Sequence, residues 1–254
     1  ALSAAEIAAL TPKRQPLSWA GIRDVVRRGR AQRYFAVGDV LTVATPRWTI
    51  EYEVTGFDQA DPADTALKHT ASVLEEQGVH TEIFWIGNKP ISGCIGCGAC
   101  KKGLGKCCIG DVVNEFVLKA AEADGYIFGS PVHYAAIGGA MGAFMDRAFY
   151  SGGKSMAFKP AAGVVSCRRG GASAAFDQLN KYFTINNMPV VGSQYWNQVH
   201  GNLPEQVLQD AEGLQTLSTL AKNMAWLLKC IEAGKNAGIA CPVPEKVIRT
   251  NFIR

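Results

Sequence analysis

The sequence predicts a doubly wound α/β domain built on a parallel sheet over residues 61–254, preceded by a small α+β unit over residues 1–60. Two observations carry this. From residue 61 onward, short apolar runs alternate with amphipathic helical stretches across short connections, the pattern of a parallel sheet covered on both faces. The first sixty residues break that rhythm: a short helix over 18–30 is followed by alternating runs at 34–43 and 48–57 that read as strands. No internal repeat or low-complexity tract interrupts either part.

Each element has a local cause. Asp61 as N-cap, Pro62 in the first turn and Asp64 near the positive end start a helix. Leu67, Ala71 and Leu74 share its face and Gly78 stops it. A strand is expected at 80–86, then a cysteine-rich loop, then a helix over 111–124 with Val113, Phe116, Val117 and Ala120 inward. A short buried strand follows at 125–129, a helix at 135–150 and a strand at 161–166. The C-terminal part reads as a helix at 173–186 aligning Phe176, Leu179 and Phe183, a strand at 189–192, and one long helix over 205–233. Right-handed crossovers wind such a chain into a doubly wound sheet. Ligands of such folds lie beyond the C-terminal strand ends, so the loops after residues 57, 129 and 166 are where a cofactor is expected.

Composition excludes several classes. The chain has 254 residues, 48% hydrophobic and 19% charged, ordinary for a globular protein. No apolar stretch is long enough for a membrane span, and the N-terminus lacks the basic-then-apolar pattern of a leader, so neither membrane insertion nor export is expected. The net charge of +4 is mild, and the basic run from Arg23 to Arg33, with Arg27, Arg28 and Arg30, reads as a solvated helix face rather than a nucleic-acid surface. Five of the eight cysteines fall between Cys94 and Cys108, which points to metal or redox chemistry in a reducing cytoplasm rather than a disulfide framework.

Three stretches then carry a resemblance. The first is Gly93-Cys94-Ile95-Gly96-Cys97-Gly98-Ala99-Cys100, continued at Cys107-Cys108-Ile109-Gly110-Asp111. The second runs from Ala123 through Gly129-Ser130-Pro131-Val132-His133-Tyr134 to Phe144-Met145-Asp146-Arg147. The third is Gly163-Val164-Val165-Ser166-Cys167-Arg168-Arg169-Gly170-Gly171. Together, over residues ~63–254, these resemble the iron-sulfur flavoprotein / NAD(P)H-dependent FMN reductase family, which implies a flavodoxin-like sheet of order 2-1-3-4-5. The resemblance implies FMN as cofactor, NAD(P)H as substrate, an unidentified electron acceptor, electron transfer as the activity, and self-association. By it, Ser130, Pro131, Val132, His133 and Tyr134 contact the flavin ring and ribityl chain, while Cys167, Arg168, Arg169, Gly170 and Gly171 flank the ring from the other side. The residues suit those roles: a cation stabilises anionic reduced flavin, and glycines let backbone approach closely. As plain structure, Gly-Ser-Pro is a turn, Arg168 and Arg169 a solvated pair, and Cys167 a small buried hydrophobe. No acid–base triad is expected, because the flavin carries the chemistry.

Cys94, Cys97, Cys100 and Cys107 have the compact spacing that lets one loop wrap a [4Fe–4S] cluster, with Cys108 a competing fourth ligand. Zinc fits less well, because its structural sites pair well-separated units. Branches of the same family keep such cysteines without a cluster, so both states stay open. The first sixty residues resemble an uncharacterised bacterial domain of surface and phage-related proteins, through Trp19, Tyr34, Phe35, Val37, Gly38, Asp39, Gly56, Phe57, Asp58 and Asp61. That resemblance implies no chemistry.

The two parts meet where the family holds the FMN phosphate on backbone N–H groups at a helix N-terminus. Here residues 50–57 are expected to supply the first strand, but the following loop carries Asp58, Asp61 and Asp64 and no basic residue. The junction therefore reads as a fusion in which the family's first strand and phosphate loop were lost or replaced, or as a place where a segment is omitted. The alternative function is a flavodoxin-like scaffold that has lost FMN and serves as a binding or assembly module.

Overall fold

In the computed structural model, the described residues are 40–44, 49–53, 61–243, 245, 246, 248, 250 and 252. Contacts divide the chain into two units, Ala1–Gln59 and Ala60–Arg254. In the first, β1 (Val40–Ala44) pairs antiparallel with β2 (Thr49–Glu53) as a two-stranded sheet. The expected helix at 18–30 and residues 54–57 of the expected first strand lie outside the described residues.

The second unit is built on a four-stranded sheet whose core strands are β3 (Tyr126–His133), β5 (Ala161–Cys167) and β6 (Gln198–His200), all parallel. The two-residue strand β4 (Ala136–Ile137) folds back antiparallel on β3, giving the order β4-β3-β5-β6. β5 is the centre, and all seven of its residues are buried, as a strand covered on both faces requires. The period of two splits it: Ala161 and Val165 join one core, Ala162 and Val164 the other.

The first core packs α2 (Val112–Glu122), α3 (Gly139–Met156) and α4 (Ala172–Ile185) through Val113, Phe144, Met145, Leu179 and Phe183. The second packs α1 (Pro62–Glu76) with α6 (Ala211–Asn236) through Ala66, Val73, Leu217, Leu220 and Met224. This is the doubly wound α/β fold the alternation predicts.

Four elements differ from expectation. The helix expected at 135–150 starts only at Gly139 and runs to Met156, because the chain first turns back on β3 as β4. Residues 80–86 run outside the sheet. A strand exists only through its ladder, and β3 pairs on that side only at Val132 and His133, with β4. From Tyr126 to Pro131 the β3 edge instead borders a cavity of about 990 Å³, whose lining includes Leu67, Leu74, Phe84, Trp85, Phe128 and Met224. Phe84 and Ile86 still reach the first core, so the segment keeps its packing without its pairing. Near 189–192 the chain makes a single bridge, Val190 to Ala161, and the paired strand comes later, at β6. The last helix is split into α5 (Pro204–Val207) and α6. Asp210 causes the break: its carboxylate accepts from Gly213 N at 2.9 Å and His200 N at 2.7 Å, capping α6 and fastening it to the end of β6.

Candidate functional site

The two loops singled out by sequence meet at the C-terminal ends of β3 and β5. Gly171 packs so close to the other loop that a Cβ placed on it would fall 2.7 Å from Ala135 Cα and 3.0 Å from Val132 Cγ1. The first loop is a tight β3–β4 hairpin. Its two central residues, Tyr134 and Ala135, have φ of 51° and 59°, the left-handed pair of a type I′ turn, in which glycine or asparagine is usual. Holding two side-chain-bearing residues there costs energy, and strain of this kind concentrates at functional loops. The turn leaves the Tyr134 ring fully exposed at the rim.

The individual residues have distinct surroundings. Ser130 is buried; its hydroxyl accepts from Gly138 N at 3.0 Å and donates to Pro131 O at 2.9 Å, so it braces the hairpin. Pro131 and Val132 are half-buried, and His133 is exposed. In the facing loop Arg168, Arg169 and Gly170 are exposed, while Cys167 is buried. Burial pushes the Cys167 thiol up, with the Asp210 carboxylate adding to it, so this sulfur stays protonated and inert. Gly171, at φ 90°, opens α4, whose first N–H, on Ala172, is bonded to the Cys167 thiol, and the positive end of the helix dipole stands behind the two arginines. The rim is therefore positive, and an aromatic ring borders it.

The N-terminus of α1 has the opposite character. Asp61 accepts from Ala63 N at 2.7 Å and so fills the position an anion would take. Asp64 is tied to Lys68 at 2.6 Å. The residues at this end do not fit a phosphate. Asp58 lies outside the described residues.

The cysteines form a second cluster. Cys94, Cys97, Cys100, Cys107 and Cys108 line one small hollow of about 20 Å³ together with Arg147, Tyr150 and Ile109. Gly98, with φ 68°, turns the loop into a 3₁₀ turn at Ala99–Lys101. Cys97 Sγ lies 3.4 Å from Cys108 Sγ. The Ala99 backbone N–H, followed by the Cys108 side chain, draws the Cys97 thiol down, while the bond to Cys97 raises Cys108. In metal-free protein, iodoacetamide at neutral pH is therefore expected to alkylate Cys97 before Cys108; peptide mass spectrometry reads the order, and the reverse order contradicts this geometry. Among the described residues no three His, Cys, Asp or Glu side chains stand in metal-ligating geometry. What fits an iron–sulfur group is the donor set: five soft sulfurs on one short loop.

Sequence reasoning missed what holds this loop. Arg147, on α3, is 1% exposed. Its NH1 donates to Asp111 Oδ2 at 2.6 Å and Ser92 O at 3.2 Å. Its NH2 donates to Asp111 Oδ1 at 2.8 Å and Ile109 O at 3.0 Å, and Nε to Cys107 Sγ at 3.3 Å. Asn114 adds bonds to both the N–H and the carbonyl of Cys107. The signal was the Asp146-Arg147 pair inside a quoted motif, but its partners are up to 55 residues away.

The Arg147 guanidinium holds the Asp111 carboxyl below the usual carboxylate range. A carboxyl depressed by folding contributes stability that is complete above the unfolded value, about 3.9, and is lost as pH falls through the folded value. Urea midpoints of the native chain and Asp111→Asn should thus differ at pH 7 and converge as the solution is acidified below that range. A gap that persists undiminished in acid contradicts it.

The fold and the two abutting loops at the C-terminal strand ends define a flavodoxin-like chain. Residues 63–202 match the model of the NADPH-dependent FMN reductase family, and the chain belongs to that family. It is 32% identical over 191 residues to an iron-sulfur flavoprotein of Methanocaldococcus jannaschii, spanning 70% of this chain and 97% of the relative. An iron-sulfur flavoprotein of Methanosarcina thermophila is 29% identical over 169 residues, 65% of this chain and 86% of the relative. Among solved structures, RosB with a bound flavin-derived intermediate is similar at TM-score 0.51 and 14% identity, covering 76% of this chain and 86% of that one. NAD(P)H:quinone oxidoreductase from Methanothermobacter marburgensis follows at 0.50 and 13%, covering 65% and 91%. These two likenesses concern the fold. Among the described residues no helix is long and apolar enough to cross a membrane.

Proposed function

We infer that this chain is an FMN-dependent oxidoreductase that takes electrons from NAD(P)H and passes them to an acceptor through a cluster on the cysteine loop. The observation that carries the reading is the junction of the two rim loops, Gly171 against Val132 and Ala135, in a member of the FMN reductase family. Bound there, FMN supplies hydride-accepting and one-electron chemistry, and an iron–sulfur cluster at Cys94, Cys97, Cys100 and Cys107 a one-electron exit.

The protein's part is positional and electrostatic. Pro131, Val132 and the strained Tyr134–Ala135 turn offer one wall, and Gly170 and Gly171 let the opposite backbone approach. Arg168, Arg169 and the N-terminal end of α4 would set positive charge beside a flavin bound here, which favours its anionic reduced form. Ser130 keeps the hairpin in register, and Cys167 stays out of the redox chemistry. The reading extends to self-association, which a monomeric mass by light scattering would overturn.

A second reading has its own observation. Asp61 fills the α1 N-terminus, which supports a scaffold that no longer holds the flavin phosphate. An absorbance spectrum of anaerobically purified protein, followed by titration with FMN, separates the two. Stoichiometric flavin, as isolated or taken up at micromolar or tighter affinity, supports the oxidoreductase. A colourless protein that takes up none supports the scaffold.

A further inference from the structure

We propose that Arg147 is the positioning residue of the cysteine loop: its buried guanidinium closes the loop at both ends and fixes Cys107, rather than Cys108, as the fourth sulfur presented beside Cys94, Cys97 and Cys100. The role in metal binding rests on the iron–sulfur reading above; the positioning itself does not.

A guanidinium carries five N–H donors in a rigid fork. Here all five are used. One group of bonds reaches Ser92 O, just before the first cysteine, and another reaches Ile109 O and the Asp111 carboxylate, just after the last. The fifth goes to Cys107 Sγ. One side chain thus staples the entry and exit of the loop and holds one of its sulfurs. Asp111 neutralises the buried cation, as a buried charge requires. Lysine could not do this, because a point charge on a flexible stem cannot reach five acceptors in one plane.

The two adjacent cysteines are treated unequally. Cys107 is partly buried, with its sulfur on Arg147 and its N–H and carbonyl on Asn114. Cys108 is exposed and its sulfur lies against Cys97. A sulfur fixed by a charged donor is in place before metal arrives, so the loop loses less freedom on binding. The same N–H···S bond withdraws charge from the sulfur, and cluster potentials respond to such bonds. Arg147 lies two helical turns beyond the start of α3, where Gly138 N is bonded to Ser130 of the flavin loop. One rigid helix, about 12 Å over those turns, therefore sets both sites.

The test uses the full chain with Arg147→Lys and with the double variant Arg147→Met/Asp111→Ser. The double variant removes both charges and keeps an oxygen at the α2 cap, so that folding survives. In metal-free protein, iodoacetamide labelling of Cys107 relative to Cys108 is read by peptide mass spectrometry. Both variants should shift that ratio at least fivefold from the native value while melting cooperatively. After anaerobic reconstitution with iron and sulfide, Cys108→Ser should load like the native chain and Cys107→Ser should not. Arg147→Lys should lower the reduction equilibrium about tenfold, about 59 mV more negative for one electron. An unchanged labelling ratio in variants that melt cooperatively overturns the proposal, as does full loading of Cys107→Ser. If the native chain takes up neither iron nor sulfide, the iron–sulfur reading fails and the labelling ratio alone decides the positioning role.

Discussion

Gly171→Ala is expected to destabilise the protein by about 2–4 kcal/mol and to abolish flavin uptake, the sum of a left-handed backbone cost and an overpacking cost. At φ 90° an L-residue is strained before any contact is considered. The added Cβ would then meet the Ala135 backbone at 2.7 Å, and Ala135 cannot yield easily because it sits in a turn with its own φ at 59°. Relief can come only by separating the two rim loops, which breaks up the surface proposed to hold the flavin. Gly170→Ala is the control: its Cβ would enter open space at an ordinary φ, so the change should stay within about 0.5 kcal/mol. Urea midpoints and FMN titration of both variants check this. Equal behaviour of the two would show that the loop junction does not matter to the site.

How much could be read from the sequence follows from where each structural cause lies along the chain. Asp61 caps the helix that starts beside it, within two residues of the N–H group it holds, and was legible; the helix after Asp111 was legible too, but Asp111 was read as its first residue rather than as its cap. The apolar run from Ala161 was legible as a buried strand because a central strand needs no polar face. Asp210 was not, because the break it makes between α5 and α6 depends on His200, ten residues upstream in sequence but adjacent in space. Residues 80–86 have the pattern of a strand, but pattern cannot tell whether a neighbour is present, and the β3 edge beside them offers a cavity. For the candidate site, motif order identified the rim loops and the cysteines. It did not show that Ser130 spends its hydroxyl inside the hairpin, nor that Arg147 holds the cysteine loop, since those facts belong to contacts between distant segments.

Asp61→Ser is expected to raise the preference for FMN over riboflavin at least fivefold, about 1 kcal/mol, with little change in stability. Serine caps a helix about as well as aspartate, so α1 should start as before. What changes is charge: a carboxylate 4 Å from a phosphate repels it by about 1 kcal/mol in water and about 4 at an effective dielectric near 20 for each unit of phosphate charge. In the native chain that repulsion falls on FMN and not on riboflavin, so the two should bind with similar affinity through ring contacts alone. Titrating both ligands into both proteins measures the ratio directly. A native chain that already prefers FMN strongly, with a ratio indifferent to the substitution, would mean that the phosphate avoids α1. The exposed Arg168 and Arg169 at the start of α4 would then be the charges to replace next, because there two cations stand at the positive end of a helix dipole.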